Sequence, residues 1–521
     1  MAEKASLLGN MNVAISFHPG VLLVGIWVLG CIVIIVRRLV FSPLAHVPGL
    51  KLAAATMWYE FYYDVVKRGS YFREIARMHE KYGPVVRISP SELHVNDAAF
   101  YPVLYSGVAK RRDKWPWAAA MFGNSTSVFS TVRHEHHRVR RVALNPLFSR
   151  AAVQQLEPTI QATMERLRGR IDEFTESGGV MDLGLAFAVF AADVISAHCF
   201  GDSFGLLQHP EFAPDWVETV AAPSELGHLV KQCPWLLPLL RWLPRSLVRI
   251  VLPAVDRLYT IQEWMSTHVQ SLIAKRDRDV VSPSMTTCVF DALLQSNLPA
   301  AEKTVQRLKG EGQTLIGAGT LTTANVLKTV VFHTLDDPTR LEAVVAELQA
   351  EFPDPGERVS LRRAERLPLL TAYITEGFRL AYGVTHRLQL LSDEPLYCNG
   401  VLIPPRTPVG MTSIFMHDNP TVFPEPREFR PERWTGPPET QHLLRRHFVP
   451  FSKGTRMCLG MHLAWAEMYI VLGTIFRSYE LSLAGTKRDD VEMAHDFFDA
   501  VPKLDSKGLR VRAQKKRKKT L

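Results

Sequence analysis

Residues 451–460 read FSKGTRMCLG, and the architecture of the whole chain follows from what the single cysteine in this stretch is for. Gly454, four residues before Cys458, allows a tight turn, and Gly460, two residues after it, allows a close approach to the backbone. Arg456 places a permanent cation beside the thiol. The next residues, MHLAWAEMYIVLGTIF over 461–476, carry apolar side chains at helical spacing. Cys458 is therefore expected at a helix N-terminus, where backbone N–H groups and the helix dipole favour a thiolate. A lone cysteine is more often an inert buried residue, but a glycine-shaped loop with a neighbouring arginine suits a thiolate that binds metal. The other five, Cys31, Cys199, Cys233, Cys288 and Cys398, are too sparse for a disulfide framework and form no CxxC pair. A reducing compartment is the natural setting.

Outward from that loop the composition is that of a globular protein: 521 residues, 47% hydrophobic, 22% charged. This excludes a disordered, collagen-like or fibrous chain. The formal charge is +9, but seven basic residues and no acidic ones lie from Arg510 to the end, which leaves the rest at +2. The tail reads as a solvated, frayed terminus, or as a contact for anionic lipid or a nuclear-localisation patch, and nucleic-acid binding does not follow. Residues 20–36, GVLLVGIWVLGCIVIIV, are uncharged and followed by Arg37 and Arg38, whereas only Lys4, balanced by Glu3, precedes them. With no small-residue cleavage site directly downstream, this is a spanning helix and not a cleaved signal, and the arginines keep the rest of the chain cytosolic. The expected organisation is a short lumenal N-terminus over 1–19, an anchor over 20–36, a connector over 37–56, one cytosolic body over 57–513 and a basic tail over 514–521.

Within the body, 85–89 and 92–95, parted by Pro90, predict a short β-hairpin. From about Arg133 the pattern is mainly helical, and one helix is expected to start at Pro299 and run to Leu335, before Pro338. A second group of short strands and turns covers 384–450. The fold class is thus mainly α with a minor β-rich region. The apolar, proline-broken stretch 226–255 reads equally as core or as a segment dipping into the bilayer surface.

Phe451, Gly454, Arg456, Cys458 and Gly460 match the pattern FxxGxRxCxG, and on this basis the chain resembles a cytochrome P450. Glu376 and Arg379 match the family's ExxR pair, and FRPERW over 429–434 matches its third element, in which Arg433 completes a structural Glu–Arg–Arg network. At i, i+3 on a helix the first two can pair. The likeness runs from SPLAHVPG in the connector to HDFFDAVPKLDSKG near the end, and is strongest to fungal secondary-metabolite members, including the trichodiene-oxygenase-like group. It implies a P450 fold behind one transmembrane helix and a haem b held by the Cys458 thiolate, whose electron donation favours O–O cleavage.

The resemblance further implies haem-propionate partners at Arg456, at His137 and Arg141 in the WxxxR element (histidine standing in for tryptophan), and at Arg387. In the long helix AGTLTT over 318–323 matches the oxygen-binding element. There Ala318 and Gly319 would let the helix open and Thr322 would hold oxygen or water. Leu321 stands where an acid is usual, so either protons reach oxygen by another route, or the reaction has drifted to isomerisation or dehydration. The implied pocket draws on 110–131, 383–388 and 495–501, with Trp115, Trp117, Phe122, Phe129, Phe497 and Phe498 supplying apolar surface. The implied function is hydroxylation or epoxidation of a lipophilic small molecule, a terpenoid or polyketide, at the endoplasmic reticulum membrane. Electrons would come from NADPH through a membrane-bound cytochrome P450 reductase. The competing readings are a non-catalytic membrane haem protein and a cysteine-nucleophile hydrolase, the latter lacking a matched general base.

Overall fold

The expected helical pattern is realised around one long helix, Val305–Leu335, in a computed structural model that describes residues 19–277, 288–354 and 356–516. Its start differs from expectation. Ala300–Lys303 form a separate 3₁₀ turn, and the α-helix begins only after Thr304, whose extended backbone and side-chain oxygen cap the N–H of Arg307 at 3.3 Å. The break has a cause in Glu302, whose carboxylate takes Arg140 at 2.7 Å, Arg307 at 2.9 Å and His136 at 2.6 Å and so fixes the turn.

Among the described residues, Leu183–Phe200, Pro253–Asp277, Pro368–Leu380 and Met461–Ser478 pack most extensively on this central helix, with Pro338–Glu351 and Pro214–Gln232 touching it as well. The first is apolar on all sides and long enough to cross a membrane, yet it lies in the protein core. Its one acid, Asp193, is buried and satisfied by the N–H groups of Leu206 and Leu207 at 3.0 and 3.2 Å. The segment expected as an anchor is different. Pro19–Leu39 forms one helix, ending three residues beyond the expected 36, and the side chains of its apolar window are not covered by protein. The connector contains a short helix, Lys51–Ala55, and Arg38 bonds the carbonyl of Ala55 at 2.8 Å. Residues 1–18 of the expected lumenal segment lie outside the described residues.

The hairpin forms as Val85–Arg87 with Leu93–Val95 and opens a five-stranded sheet that continues through Val409–Gly410, Leu390–Ser392 and Arg112–Lys114. One corner of the molecule is therefore β-rich, with its own apolar cluster. The C-terminus departs from the frayed tail. Arg510–Lys515 is a strand paired on one side with Met181–Asp182 and on the other with Tyr479–Leu483. Val511 and Ala513 alternate inward while Arg510 and Arg512 face out, a half-buried strand in which the basic residues occupy only the solvent side. Residues 517–521 of the basic tail lie outside the described residues.

The stretch 226–255 turns out to be neither wholly core nor wholly surface. The helix Pro214–Gln232 buries His228 and Lys231, but beyond it Trp235, Leu239, Trp242, Ile250 and Val251 are exposed, Trp242 at 89%. Large apolar side chains exposed together in one stretch point to an interaction face.

Candidate active site

The loop 451–460 adopts the turn its glycines allow. Gly454 has φ +74°, and a Cβ there would come within 2.2 Å of the carbonyl oxygen of Ser106, so only glycine fits. Cys458 N–H donates to the Phe451 carbonyl at 2.8 Å, which folds the loop back on itself. The helix Met461–Ser478 follows at once, and the backbone N–H groups of Gly460 and Met461 at its start draw the Cys458 thiol pKa down. Burial pushes that thiol up, against the pull of these N–H groups and of the Arg141 guanidinium. The cation nearest the sulfur in electrostatic effect is thus Arg141 and not Arg456. The Arg456 guanidinium donates to the carbonyls of Thr131 and Val132, both at 2.7 Å.

Behind the loop the ion-pair network forms as expected and is more complete. Glu376 takes Arg379 through two bonds of 2.8 and 2.9 Å, Arg433 at 3.0 Å, the indole N–H of Trp434 at 2.8 Å and the backbone N–H of Arg430 at 2.9 Å. Burial alone would raise this carboxyl; Arg379 and then Arg433 hold it below the usual carboxylate value. His417 was not anticipated. Its Nδ1 bonds the Arg379 carbonyl at 2.9 Å, and its Nε2 accepts the N–H of Val449 at 2.9 Å, two residues before Phe451. Burial first, and the Arg379 charge second, depress its pKa to about 3, so it stays neutral with one donor and one acceptor nitrogen, as both bonds require. His417 carries the rigidity of the ion pair into the cysteine loop.

On the other side of the loop is a cavity of about 290 Å³. It is lined by Cys458, Phe451, Gly460, Ala318, Gly319 and Thr322 among others, and Cys458 is exposed to it. His137, Arg141 and Arg456 also line it. So does Lys114, which sequence reasoning passed over although its segment was named; among the described residues its hydrogen bond is to the Phe129 carbonyl, at 2.5 Å. Among the described residues none of these four groups is paired with a carboxylate within 4.0 Å. Burial, with the Arg456 charge, drives the Lys114 amine well below its usual value and His137 down to about 2. Four unpaired cationic or donor groups around one cavity call for an anionic ligand.

Arg387 does not join them. Its guanidinium holds Glu60 at 2.6 Å and Glu92 at 3.0 Å, and Lys231 takes Glu60 from the other side at 2.8 Å. Both carboxylates are buried, and among the described residues Arg387 is the ion-pair partner of Glu92, so the arginine is committed to the protein's interior.

The oxygen-side residues also behave differently from expectation. The central helix is not opened at Gly319; a Cβ there would meet Ile195 at 2.9 Å, so the glycine serves close packing against Leu183–Phe200. Ala318 faces the cavity. Thr322 lines the cavity too, but its hydroxyl proton goes to the Ala318 carbonyl at 2.7 Å, leaving its oxygen lone pairs as acceptors. Leu321 packs against the core. Two carboxyls reach the cavity wall among the described residues, Glu467 and Asp499. Trp115, Trp117 and Phe497 do not line it, whereas Phe122, Phe129 and Phe498 do, as an edge-to-face trio with ring centres 4.8–5.6 Å apart.

This geometry suits a haem. The sulfur is presented to the cavity, the unpaired cations match two propionates, and a Cβ at Gly460 or Gly317 would meet no protein atom within 4 Å. A thiolate-ligated haem protein with an internal pocket is the class the fold and site define. Residues 52–503 match the family model Cytochrome P450, and the chain belongs to that family. It is 71% identical over 511 residues to tryptophan 6-hydroxylase fscE of Fusarium equiseti, covering 98% of this chain and 100% of that protein. It is 56% identical to N-acetyltryptophan 6-hydroxylase ivoC of Emericella nidulans, over 97% of this chain and 99% of the relative. Cytochrome P450 monooxygenase sdnE of Sordaria araneosa is 40% identical over 94% of this chain and 96% of its own length. The protein is a P450 monooxygenase, and the family implies a haem–thiolate cofactor, a small-molecule substrate and a reductase partner.

Proposed function

We propose that this enzyme hydroxylates the indole ring of tryptophan or a close derivative, at the position for which its two most similar relatives above are named. The observation that carries the reading is one cavity holding the Cys458 sulfur, four cationic or donor groups with no ion pair among the described residues, Thr322 and the Phe122–Phe129–Phe498 trio. Aromatic edges around a pocket suit a planar aromatic ligand, and two relatives over 50% identical carry tryptophan in their names. A terpenoid or polyketide, expected from the wider family, has no comparable support.

Cys458 would hold the haem iron through its thiolate, and Arg141, His137, Arg456 and Lys114 would hold the propionates. When bound, the haem supplies reductive activation of dioxygen. The overall change consumes one O2, two electrons and two protons; it converts a ring C–H to C–OH and releases water. The electrons come from NADPH through the reductase. The chain's own groups orient and supply protons. Thr322, its hydroxyl proton committed to the Ala318 carbonyl, accepts a hydrogen bond from the cavity side. Glu467, which takes a bond from Thr323 at 3.3 Å, is held neutral by burial and keeps a proton one residue from Thr322, the role Leu321 lacks. The bare helix Pro19–Leu39, the arginines at its end and the apolar face around Trp242 support single-pass anchoring in the endoplasmic reticulum membrane with the body cytosolic.

The test is to supply the holoenzyme and a reductase with tryptophan, NADPH and isotopically labelled dioxygen, and to identify products by mass spectrometry. A ring-hydroxylated tryptophan carrying the label supports the reading; no indole product from tryptophan or its acyl derivatives sinks it. Cys458→Ser should abolish both the product and the reduced-CO Soret band of thiolate ligation.

A further inference from the structure

Asp499 is a buried acid with nothing to do in the protein itself. It sits at 8% exposure in the strand Asp499–Val501 and lines the cavity. Its carboxyl makes no hydrogen bond among the described residues, and Oδ1 is buried without a partner. Burying an unpaired carboxyl costs stability and persists only where something else is gained.

Its place is tightly fixed. The strand pairs with His495–Phe497 through the tight turn at Phe498, which has φ +74° and whose carbonyl takes the N–H of Thr385 at 2.8 Å. Val384 bridges Asp499 from the other side, and Asn325, three residues past Thr322 on the central helix, donates to the Ala500 carbonyl at 2.6 Å. The carboxyl is thus held between the oxygen-side turn and the aromatic trio to which Phe498 belongs.

The charged groups on the elements packed around it are occupied elsewhere. His386 is turned to the Asp496 carboxylate at 3.2 Å, and His228 bonds the Asp496 carbonyl at 2.6 Å. His495 bonds the Arg68 carbonyl at 2.6 Å, and Lys328 has Asp182 as its electrostatic partner. Burial first, and the neighbouring Asp496 second, push Asp499 up to about 7. A cation brought into the pocket would meet an acceptor that none of the described protein groups satisfies.

We propose that Asp499 receives the α-ammonium group of the substrate and so selects a free amino acid over its N-acyl derivative. The inference rests on the indole reading above and deepens it. Of the two relatives' substrates, it points to the unacylated one, since an amide nitrogen carries no charge to offset a buried carboxylate.

The test measures binding of L-tryptophan, tryptamine, N-acetyltryptophan and indole-3-propionate to the holoenzyme, by calorimetry and by the Soret shift, between about pH 6 and pH 8.5. The amine-bearing pair should bind tighter than the other two, and their affinity should rise with pH as Asp499 ionises. Asp499→Asn, nearly isosteric, should weaken that pair about 10- to 100-fold, flatten the pH profile, and leave the neutral-amide and amine-free ligands unchanged. Asp499→Glu should restore part of the preference. The reduced-CO spectrum and thermal midpoint establish that each variant is folded and loaded. Equal affinity for tryptophan and N-acetyltryptophan, untouched by Asp499→Asn, overturns the assignment while leaving the indole reading standing. So does a variant that binds all four ligands normally but forms less product per NADPH, which would make Asp499 a proton source. Failure of every indole ligand to bind the wild type removes both.

Discussion

The two faces of the cysteine loop are built on opposite rules. Behind it, each member of the Glu376–Arg379–Arg433–His417 frame is bonded within the protein: Glu376 takes five bonds from four residues, and Arg379 and His417 spend their remaining donors and acceptors on the backbone. In front of it, Lys114, His137, Arg141 and Arg456 carry no ion pair among the described residues, and Glu467 and Asp499 each leave a buried carboxyl oxygen without a partner. The closed side fixes the position of the sulfur, and the open side keeps its interaction capacity for molecules the chain does not supply. Where such unmatched buried groups line a cavity, as Glu467 and Asp499 do, they are available to a ligand.

If that contrast is real, equivalent cuts on the two faces must have unequal consequences. The largest effect is expected behind the loop. Arg379→Ala leaves Glu376 fully buried with a diminished counter-charge and removes the guanidinium bond to the His417 carbonyl at 3.0 Å, so it should cost about 3–5 kcal/mol of stability. It should be read as loss of folded, haem-loaded protein in a thermal or denaturant titration. His417→Ala, which leaves the ion pair intact, should lose less stability but still loosen the Phe451–Cys458 turn.

In front of the loop, Arg141→Ala should act on the cofactor and barely on the apoprotein. Arg141 is pushed below its usual value by burial and has Asn145 as its side-chain hydrogen-bond partner, so its removal relieves as much as it costs in the absence of an anion. Loss of one charge-assisted bond to a propionate should weaken haem retention by about 1.5–3 kcal/mol, measurable as faster haem transfer to an acceptor protein. An apoprotein destabilised as much as by Arg379→Ala would break the comparison.

The closed side was the more legible of the two in the amino-acid sequence. The cysteine loop and the Glu376–Arg379 pair announce themselves because turn, cap and helical spacing are local. His417 was missed because its partners, Arg379 and Val449, are 38 and 32 residues away and no periodicity links them. Arg387 was misassigned for the same reason: Glu60 and Glu92, which claim it, lie 327 and 295 residues upstream. Thr322 occupies the expected position, yet whether its proton goes to the helix or to a ligand is a rotamer question that spacing does not address. The C-terminal basic run concealed a strand because charge count outweighed the alternation of Val511 and Ala513. Asp499 carried no signal beyond being an acid in an apolar neighbourhood, and its meaning depends on which groups surround it in three dimensions.

The most direct probe of the open side is the pH dependence of stability. Asp499 titrates at about 7 in the folded protein, against about 4 in an unfolded chain. Between those values the native state holds one more proton than the unfolded state, so the contribution of this group to stability is complete below about pH 4 and is lost as pH rises through about 7. Asp499→Asn cannot ionise and removes that loss. The substrate-free variant should therefore gain stability relative to wild type on going from about pH 5 to about pH 8, seen as a growing difference in urea midpoint. A saturating amine ligand should reverse the difference, because the wild-type carboxylate then has its counter-charge and the asparagine does not. Parallel pH curves for the two proteins would mean that Asp499 is already compensated within the chain, and the distinction between the two faces would shrink to the cations alone.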